Sequence, residues 1–241
     1  MITRYHNFFE FFNIEEPKNL QSIIQRTVRR QKRYLPIARD LQKNSPYKQK
    51  DSTLTNFDYY CLSAILLYKK PKRVFEIGTY LGLTSDFILE LLPDCNVIST
   101  NIISPPTDEF YLPKKYIGCT IHKRNRDRYT QIYEDSKKIN IDGFINQYGK
   151  QDLIFIDGEH SFESVDSDTK LSKKIKSNNG VIVWHDVSWD YTHIHCHPRY
   201  FLYINPEIMV LASIILGEDS SGGIACWNED IEKDIYKLHD F

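Results

Sequence analysis

Five short apolar runs alternate with stretches of helical periodicity along the middle of the chain. The runs are rich in β-branched and aromatic residues, and they predict strands at 73–77, 96–100, 130–133, 152–157 and 180–184. Between several of them, polar and apolar residues alternate with helical spacing over 84–92, 136–148 and 162–176. Strands that are apolar on both faces and separated by helices predict a parallel sheet covered on both sides. The pattern therefore predicts an α/β fold.

The chain before the first strand reads as helical. Residues 1–50 lack strand signals and predict one or two helices, and a further helix fits 55–68 with Thr55 as its cap. We therefore expect an N-terminal helical extension over 1–50 and one main domain over 51–241.

The end of the chain predicts antiparallel structure. Asn179–Gly180 reads as a helix stop that leads into the fifth strand. Farther on, two apolar runs joined by a Gly/Ser-rich turn predict a closing β-hairpin, followed by a short charged helix at 229–239.

Composition narrows the class of protein. The 241 residues are 41% hydrophobic and 26% charged, as in ordinary globular proteins, and no apolar span or secretory signal is visible. Five cysteines without CxxC spacing predict reduced thiols in a cytoplasmic protein. The net charge of −1 argues against bulk attraction to nucleic acid. A basic segment over 18–50 is either the solvated face of a helix or an arm that faces an anionic substrate or partner.

The turn after the first predicted strand, in "VFEIGTYLGLTS" (74–85), excludes two nucleotide motifs. A Walker phosphate loop ends in Lys-Ser/Thr, whereas Gly82 is followed by Leu83. A dinucleotide fingerprint needs three glycines in G-x-G-x-x-G spacing, and this turn has only Gly78 and Gly82. The remaining pattern is E-x-G-x-x-x-G, which suits a ligand without phosphate.

That pattern resembles motif I of class I S-adenosylmethionine-dependent methyltransferases. Three further stretches resemble the group known as methyltransferase family 24: "QIYEDS" (131–136), "DLIFIDGEHSFESVDSDT" (152–169) and "GVIVWHD" (180–186). The resemblance covers about residues 55–190. It implies a doubly wound, mostly parallel Rossmann-like sheet and S-adenosyl-L-methionine as cofactor, and it says much less about the acceptor.

The resemblance also implies site residues. The methionine and ribose parts of the cofactor would contact the motif I positions Glu76, Gly78, Thr79, Tyr80 and Gly82. Asp135 and Ser136 would contact adenine, and Asp157 would lie below the sulfonium and the acceptor.

One position departs from the family pattern. Where the family ends its second strand in an acid that accepts both ribose hydroxyls, this chain has Asn101. A neutral amide accepts a weaker hydrogen bond than a carboxylate. We therefore expect weaker cofactor binding, or help from Thr100 or Ser104. The departure adds slightly to the case for a non-catalytic homologue, while an enzyme stays the leading interpretation.

Candidate catalytic groups cluster where strands four and five end, since ligands of doubly wound sheets bind at the carboxyl ends of strands. The group comprises Asp157, Glu159, His160, His185 and Asp186. One interpretation is a site for Mg²⁺ or another divalent cation, held by Asp157 and Asp186 with His185 as a third ligand. Another is metal-free catalysis with His160 or His185 as general base. A third is that the His-Asp pair only orients a loop. The histidines of "HIHCHP" (193–198) read as a surface or pocket-lining loop.

The leading hypothesis is an enzyme that transfers a methyl group from S-adenosylmethionine to a hydroxyl of a small molecule, such as a sugar or a secondary metabolite. One alternative is transfer to RNA or protein through the basic segment. The other is a binding or scaffold protein that keeps the fold without turnover. The sequence leaves the oligomeric state open, a homodimer included.

Overall fold

The structure, a computed structural model, describes residues 9, 12–41, 54–103, 112–187, 209–210 and 224–227. Its sheet has seven strands in the order β3-β2-β1-β4-β5-β7-β6. The strands are β1 (Arg73–Ile77), β2 (Asn96–Thr100), β3 (Tyr129–Ile132), β4 (Gln151–Ile156), β5 (Lys176–Trp184), β6 (Met209–Val210) and β7 (Ala225–Trp227). The first five run parallel to one another, which confirms the Rossmann-like α/β fold.

Five α-helices accompany the sheet in the described part of the chain. They are α1 (Leu20–Leu41), α2 (Asn56–Lys69), α3 (Leu83–Leu91), α4 (Ile141–Tyr148) and α5 (Phe162–Ile175). Short 3₁₀ helices cover Lys114–Tyr116, Lys123–Arg128 and Ser136–Lys138.

The central strands are buried on both faces, as their unbroken apolar runs predict. In β4, Leu153 and Phe155 join the core cluster that includes side chains of α1, α2 and α3. Ile154 and Ile156 point the other way and join a second cluster with α4 and α5. This two-sided burial follows from the period-2 alternation of a strand between two helical layers.

Helix α2 begins as the sequence predicts. The Thr55 hydroxyl accepts a hydrogen bond from the Asp58 backbone N–H at 3.2 Å, and the Asp58 carboxylate accepts one from the Thr55 N–H at 2.8 Å. This reciprocal capping box satisfies N–H groups that the first turn of a helix leaves without intrahelical partners. It also fixes Asp58 in place, which matters for the site described below.

Part of the basic segment is used inside the protein. Arg26 and Arg30 of α1 pair with Glu90 of α3 at 3.1 and 2.7 Å, and Arg30 also pairs with Asp86. Leu20, Ile23 and Ile24 of the same helix lie in the main core. The described part of the predicted extension therefore packs on the domain, and the division of the chain at residue 50 stays a prediction.

Two boundary predictions were wrong. Asn179–Gly180 does not stop a helix: α5 ends at Ile175, and both residues lie inside β5, which begins at Lys176. The segment 136–148 is not one helix, because Asn140 caps a new helix by accepting from the Gly143 N–H at 2.7 Å. A local side-chain hydrogen bond sets the boundary at Asn140, whereas pairing of Lys176 with Gln151 of β4 sets the start of β5.

The closing strands pair antiparallel, β7 with β5 and β6 with β7. The segment that would join β6 to β7, residues 211–223, lies outside the described residues, so the hairpin connection stays a prediction. The predicted helix at 229–239 and the histidines of 193–198 also lie outside them.

Cys61, Cys95, Cys119 and Cys226, the four cysteines within the described ranges, are free thiols. None of the helices in the described part is both long enough and apolar enough to cross a membrane.

Candidate functional site

The candidate site lies where the strand order reverses. Strand β1 pairs with β2 on one side and β4 on the other, so the chain segments after β1 and β4 leave the sheet next to each other. In an open α/β sheet this switch point forms the crevice in which ligands bind. It places the glycine turn after Ile77 beside Asp157.

The glycines of the turn are required by this close approach. Gly78 has φ +101°, and a Cβ atom there would lie 2.0 Å from the backbone oxygen of Asp157. Gly82, with φ +85°, precedes α3, and a Cβ atom there would lie 2.8 Å from Cα of Gly118. The need for glycine at both positions therefore comes from the fold itself.

A chain of hydrogen bonds fastens the turn to the sheet. The Gln131 amide donates to the Thr79 hydroxyl at 3.0 Å, and that hydroxyl lies 2.6 Å from the Ser99 hydroxyl. Ser99 and Ser85 each donate to the Glu76 carboxyl at 2.5 Å. Glu76 is 1% exposed, so its carboxyl faces these serines inside the protein.

Burial sets the charge of Glu76. Desolvation raises its pKa to about 8, although the two serine hydroxyls favour the charged form. The group is therefore mostly neutral at pH 7. A direct ion pair between Glu76 and the cationic end of a ligand stays a prediction, and the observed contacts give Glu76 a role in holding the turn.

Asn101 contacts the same turn. Its side-chain oxygen accepts a hydrogen bond from the Tyr80 backbone N–H at 2.9 Å, and its amide nitrogen donates to the Ile102 carbonyl at 2.7 Å. Tyr80 has φ +45°, a conformation that costs energy for a residue with a side chain. Asn101 thus stabilises a strained residue, and its contact with a ribose stays a prediction.

The predicted adenine residues follow β3. Asp135 caps the 3₁₀ helix by accepting from the Lys137 N–H at 3.0 Å. The Ser136 hydroxyl donates to the Asp168 carboxyl of α5 at 2.6 Å. Burial raises the pKa of Asp168 to about 6, against the effect of that hydrogen bond. Both residues therefore shape the loop after β3, and contact with adenine stays a prediction for each.

The chemical centre of the site is a buried histidine held between carboxylates. His185, with 4% of its side chain exposed, lies between Asp157, 2.9 Å from Nδ1, and Asp58, 3.3 Å from Nε2. Burial alone would lower the pKa of His185, but Asp186 and Asp157 raise it well above its usual value. The neighbouring carboxylates therefore favour the charged form of His185, and both of its ring nitrogens are engaged. It cannot approach an acceptor, which argues against the prediction that it is the general base.

The carboxylates around His185 differ in their environments. Burial raises the pKa of Asp157, and the neighbouring His185 charge offsets this only in part. Burial would also raise the pKa of Asp186, but the charge of His185 and the contact with His160 hold it well below its usual value. Two neighbouring carboxyl groups whose pKa values are shifted in opposite directions are a feature of sites that transfer protons.

His160 is the imidazole with access to solvent. It is 34% exposed, and its Nε2 lies 2.9 Å from Oδ2 of Asp186. Burial would lower the pKa of His160, but Asp186 and Asp157 raise it above its usual value. Asp186 has φ +56°, a strained conformation that turns its carboxylate back toward both histidines at the end of β5. The pair His160–Asp186 can therefore accept and hold a proton at the mouth of the site.

Three of these groups could hold a cation. Asp157, His160 and Asp186 each offer a ligand atom, and these atoms lie within 4.8 Å of one another. Two carboxylate oxygens and one imidazole suit a divalent ion of intermediate hardness. The third ligand differs from the sequence prediction: His185 is engaged by Asp157 and Asp58, and His160 takes its place.

Sequence reasoning missed three residues at this site. Asp58 comes from α2, 127 positions before its partner His185. Tyr59 and Thr84 line a small pocket together with Gly78 and Asp157. The T-x-x-D capping pattern at Thr55 could have indicated that Asp58 has a fixed position, but no local signal pairs it with His185.

Comparisons with known proteins agree with the fold. Residues 75–187 match the family model of a methyltransferase domain, family 24. None of the curated protein sequences matches the chain.

Solved structures share the fold. An O-methyltransferase from Bacillus cereus in complex with S-adenosylhomocysteine superposes with a TM-score of 0.53 at 16% identity, covering 88% of this chain and 91% of that one. The O-methyltransferase TomG from Streptomyces achromogenes, involved in tomaymycin synthesis and bound to S-adenosylmethionine, gives 0.54 at 13% identity, covering 88% and 89%. The methyltransferase PaMTH1 from Podospora anserina, bound to S-adenosylhomocysteine, gives 0.50 at 16% identity, covering 89% of each chain.

Proposed function

We propose that the protein is a class I S-adenosylmethionine-dependent methyltransferase that methylates a hydroxyl oxygen of a small molecule, because residues 75–187 match the model of a methyltransferase domain. The observation that carries the proposal is the group Asp157, His160, His185 and Asp186, which lies beside the motif I turn at the switch point of the sheet. A buried imidazolium and paired carboxylates with opposite pKa shifts suit proton removal from an acceptor.

The cofactor would lie across the carboxyl ends of β1, β2 and β4. Its sulfonium would come near Asp157, because a carboxylate stabilises the positive charge there. The apolar surface beyond β2 and β3 suits the flat face of adenine: Ile102 and Ile103 are 50% and 52% exposed, and Tyr133 is 39% exposed. Asn101 lies between these two regions, where the ribose would lie.

The reaction is a direct displacement. A lone pair of the acceptor oxygen attacks the methyl carbon, the carbon–sulfur bond breaks, and its electron pair stays on sulfur as S-adenosylhomocysteine leaves. The acceptor loses its hydroxyl proton to a base. Alignment of oxygen, carbon and sulfur supplies much of the rate enhancement in such a transfer.

His160 is the proposed base. Its side chain is 34% exposed, but its Nε2 is buried beside Asp186, so Nδ1 would take the proton and Asp186 would stabilise the imidazolium that forms. Asp58 and His185 act one step away, by holding Asp157 in place. His185 is thus a positioning residue.

A divalent cation is the alternative means of activation. Asp157, His160 and Asp186 would hold it, and it would lower the pKa of a bound acceptor hydroxyl. Chelation distinguishes activation by a cation from general base catalysis by His160, since it abolishes turnover only if a cation is required. Unchanged turnover after extensive dialysis against chelator favours His160 as the base.

The small-molecule acceptor is a proposal supported by analogy and by charge. TomG, which shares the fold, takes part in tomaymycin synthesis. A net charge of −1, with Arg26 and Arg30 engaged by acids of α3, leaves less basic surface for RNA. A non-catalytic binding role is the second candidate, and Asn101 at the ribose position is the observation that favours it.

Isotope transfer tests the proposal. The protein is incubated with S-adenosylmethionine that carries a labelled methyl group and with a panel of sugars, phenols and other hydroxyl compounds, and S-adenosylhomocysteine release is measured. We expect label in at least one hydroxyl compound and none with Asp157→Asn. Binding of the cofactor without turnover across the panel would favour the non-catalytic role. Label in RNA or protein alone would overturn the small-molecule assignment.

A further inference from the structure

The hydroxyl of Tyr59 is buried without a partner. Tyr59 is 0% exposed, and its hydroxyl finds no hydrogen-bond partner in the described part of the chain. Its ring packs against Phe87 with centroids 4.7 Å apart, so the side chain is held in place. A buried hydroxyl without a partner destabilises a folded protein, and native structures rarely keep one without a use.

The neighbouring residue shows the usual arrangement. The Tyr60 hydroxyl donates to the Glu16 carboxylate at 2.5 Å and accepts from the Gln21 amide at 2.9 Å. Two adjacent tyrosines of α2 therefore differ in hydrogen bonding: the Tyr60 hydroxyl has its hydrogen bonds within the protein, and the Tyr59 hydroxyl does not.

Tyr59 lines the small pocket at the switch point. The wall also includes Gly78 and Thr79 of the motif I turn, Thr84 of α3, and Asp157 after β4. Its volume of about 30 Å³ admits a group the size of two water molecules, which is close to the size of a carboxylate. Burial raises the pKa of the Tyr59 phenol, with Asp157 and Glu76 adding to the effect, so the hydroxyl keeps its proton.

A permanently protonated hydroxyl that lacks a partner requires an acceptor. Of the two polar groups at the amino-acid end of S-adenosylmethionine, the ammonium has only donors, whereas the carboxylate accepts. Asp157, in the same pocket, can take the ammonium. Glu76 is mostly neutral at pH 7 and so does not repel a carboxylate strongly.

We propose that the Tyr59 hydroxyl donates a hydrogen bond to the carboxylate of the cofactor's amino-acid end and thereby selects ligands that carry this group. The inference rests on the proposed function, because it assigns a recognition residue to the same cofactor. It adds a residue from α2, outside the motif I turn and outside the four groups at the ends of β4 and β5.

The test compares two ligands and two variants by calorimetry. S-Adenosylhomocysteine has the amino-acid end, and 5′-methylthioadenosine lacks it. Tyr59→Phe removes only the hydroxyl, and Tyr60→Phe is the matched control. We expect Tyr59→Phe to weaken S-adenosylhomocysteine binding at least 10-fold, to leave 5′-methylthioadenosine affinity within 2-fold, and to leave thermal stability unchanged or raised. Tyr60→Phe should lower thermal stability without changing either affinity.

The outcomes distinguish failure of the inference about Tyr59 from failure of the proposed function. If the unmodified protein binds S-adenosylhomocysteine and Tyr59→Phe binds it equally well, the inference is overturned and the proposed function stands. An equal loss of affinity for both ligands would also overturn it, because the hydroxyl would then act away from the amino-acid end. If the unmodified protein binds neither ligand, the proposed function and the inference both fail.

Discussion

The two ends of the parallel sheet both carry acid–base pairs, but water reaches them very differently. At the amino end, Lys72 and Asp94 lie 3.1 Å apart with side chains 66% and 84% exposed. At the carboxyl end, His185 and Asp58 lie 3.3 Å apart with side chains 4% and 1% exposed. Similar distances therefore have different consequences, because screening makes the first pair weak and burial makes loss of either partner of the second costly.

The two ends of the sheet also differ in role, one structural and the other suited to proton transfer. Asp152 at the amino end accepts hydrogen bonds from the backbone N–H groups of Lys72 and Arg73 at 3.0 Å each. These bonds give the N–H groups at the start of β1 their partners. At the carboxyl end the acids pair with imidazoles, the side chains whose ordinary pKa lies closest to neutral pH. Only the second arrangement can move protons.

The largest expected effect is on turnover. His160→Ala should lower the methyl-transfer rate by about 10²–10⁴-fold, the usual contribution of a positioned base. Because Asp186 and Asp157 raise the pKa of His160, the rate of the unmodified protein should rise with pH until the ring loses its proton, above the usual value for histidine. Initial rates over a pH series measure both effects.

His122, which accepts a hydrogen bond from the Arg124 backbone N–H, offers a matched control for that variant. His122→Ala should retain full activity. If His160→Ala also retained it, with and without chelator, the carboxyl end would not contain the base.

The next effect is on stability. Asp58→Asn leaves the buried His185 with one fewer charged partner, and we expect it to lower the free energy of unfolding by about 3 kcal/mol. Asp94→Asn, the corresponding change at the amino end, should cause no measurable change. Urea unfolding of the three proteins tests the comparison. Equal losses for the two variants would show that burial does not distinguish the two ends.

A third effect depends on pH. Glu76 ionises at 4.5 in the unfolded chain but at about 8 in the folded protein, so the folded state binds more protons between these values and stability falls as pH rises through them. Glu76→Gln removes this titration. The variant should become more stable than the unmodified protein by a few kcal/mol at pH 8, but not at pH 4.

Glu90 provides a control of opposite sign. Its pKa is lowered despite burial, because Arg30 and Arg26 favour the charged form. Glu90→Gln should therefore destabilise the protein at pH 8. If Glu76→Gln were also destabilising at pH 8, Glu76 would be ionised in the folded protein.

The smallest effect concerns Asn101. If it lies at the ribose, Asn101→Asp should tighten S-adenosylhomocysteine binding by about 1 kcal/mol, since a carboxylate can accept from both hydroxyls and still accept from the Tyr80 N–H. Isothermal calorimetry measures the change. Unchanged or weaker binding would mean that the ribose lies elsewhere or that the amide is needed to donate to Ile102.

The sequence predicted most strands of the sheet, because their positions depend on local patterns of apolar residues. Strands β1 and β2 have the predicted bounds, since consecutive apolar residues, Val74–Phe75 and Val97–Ile98, bury both faces of each strand. The start of β5 was missed because Lys176 and Asn179 look like a helix end, and the pairing of Lys176 with Gln151 depends on a distant strand.

The site was only partly predictable for the same reason. Motif resemblance indicated Asp157, His160, His185 and Asp186, but not their relative roles. The burial of His185 depends on Asp58, which comes from a helix before the first strand. Likewise, the reason for glycine at position 78 is the carbonyl of Asp157, far along the chain. Gly78→Val would consequently disturb the fold as well as ligand binding.

The central claim is that the carboxyl end of this sheet binds S-adenosylmethionine. Calorimetric titration of S-adenosylhomocysteine into the unmodified protein, with thermal unfolding followed in parallel, tests it most directly. The account predicts saturable binding at one site per chain and a raised melting temperature. No heat and no shift in melting temperature at millimolar ligand would contradict it.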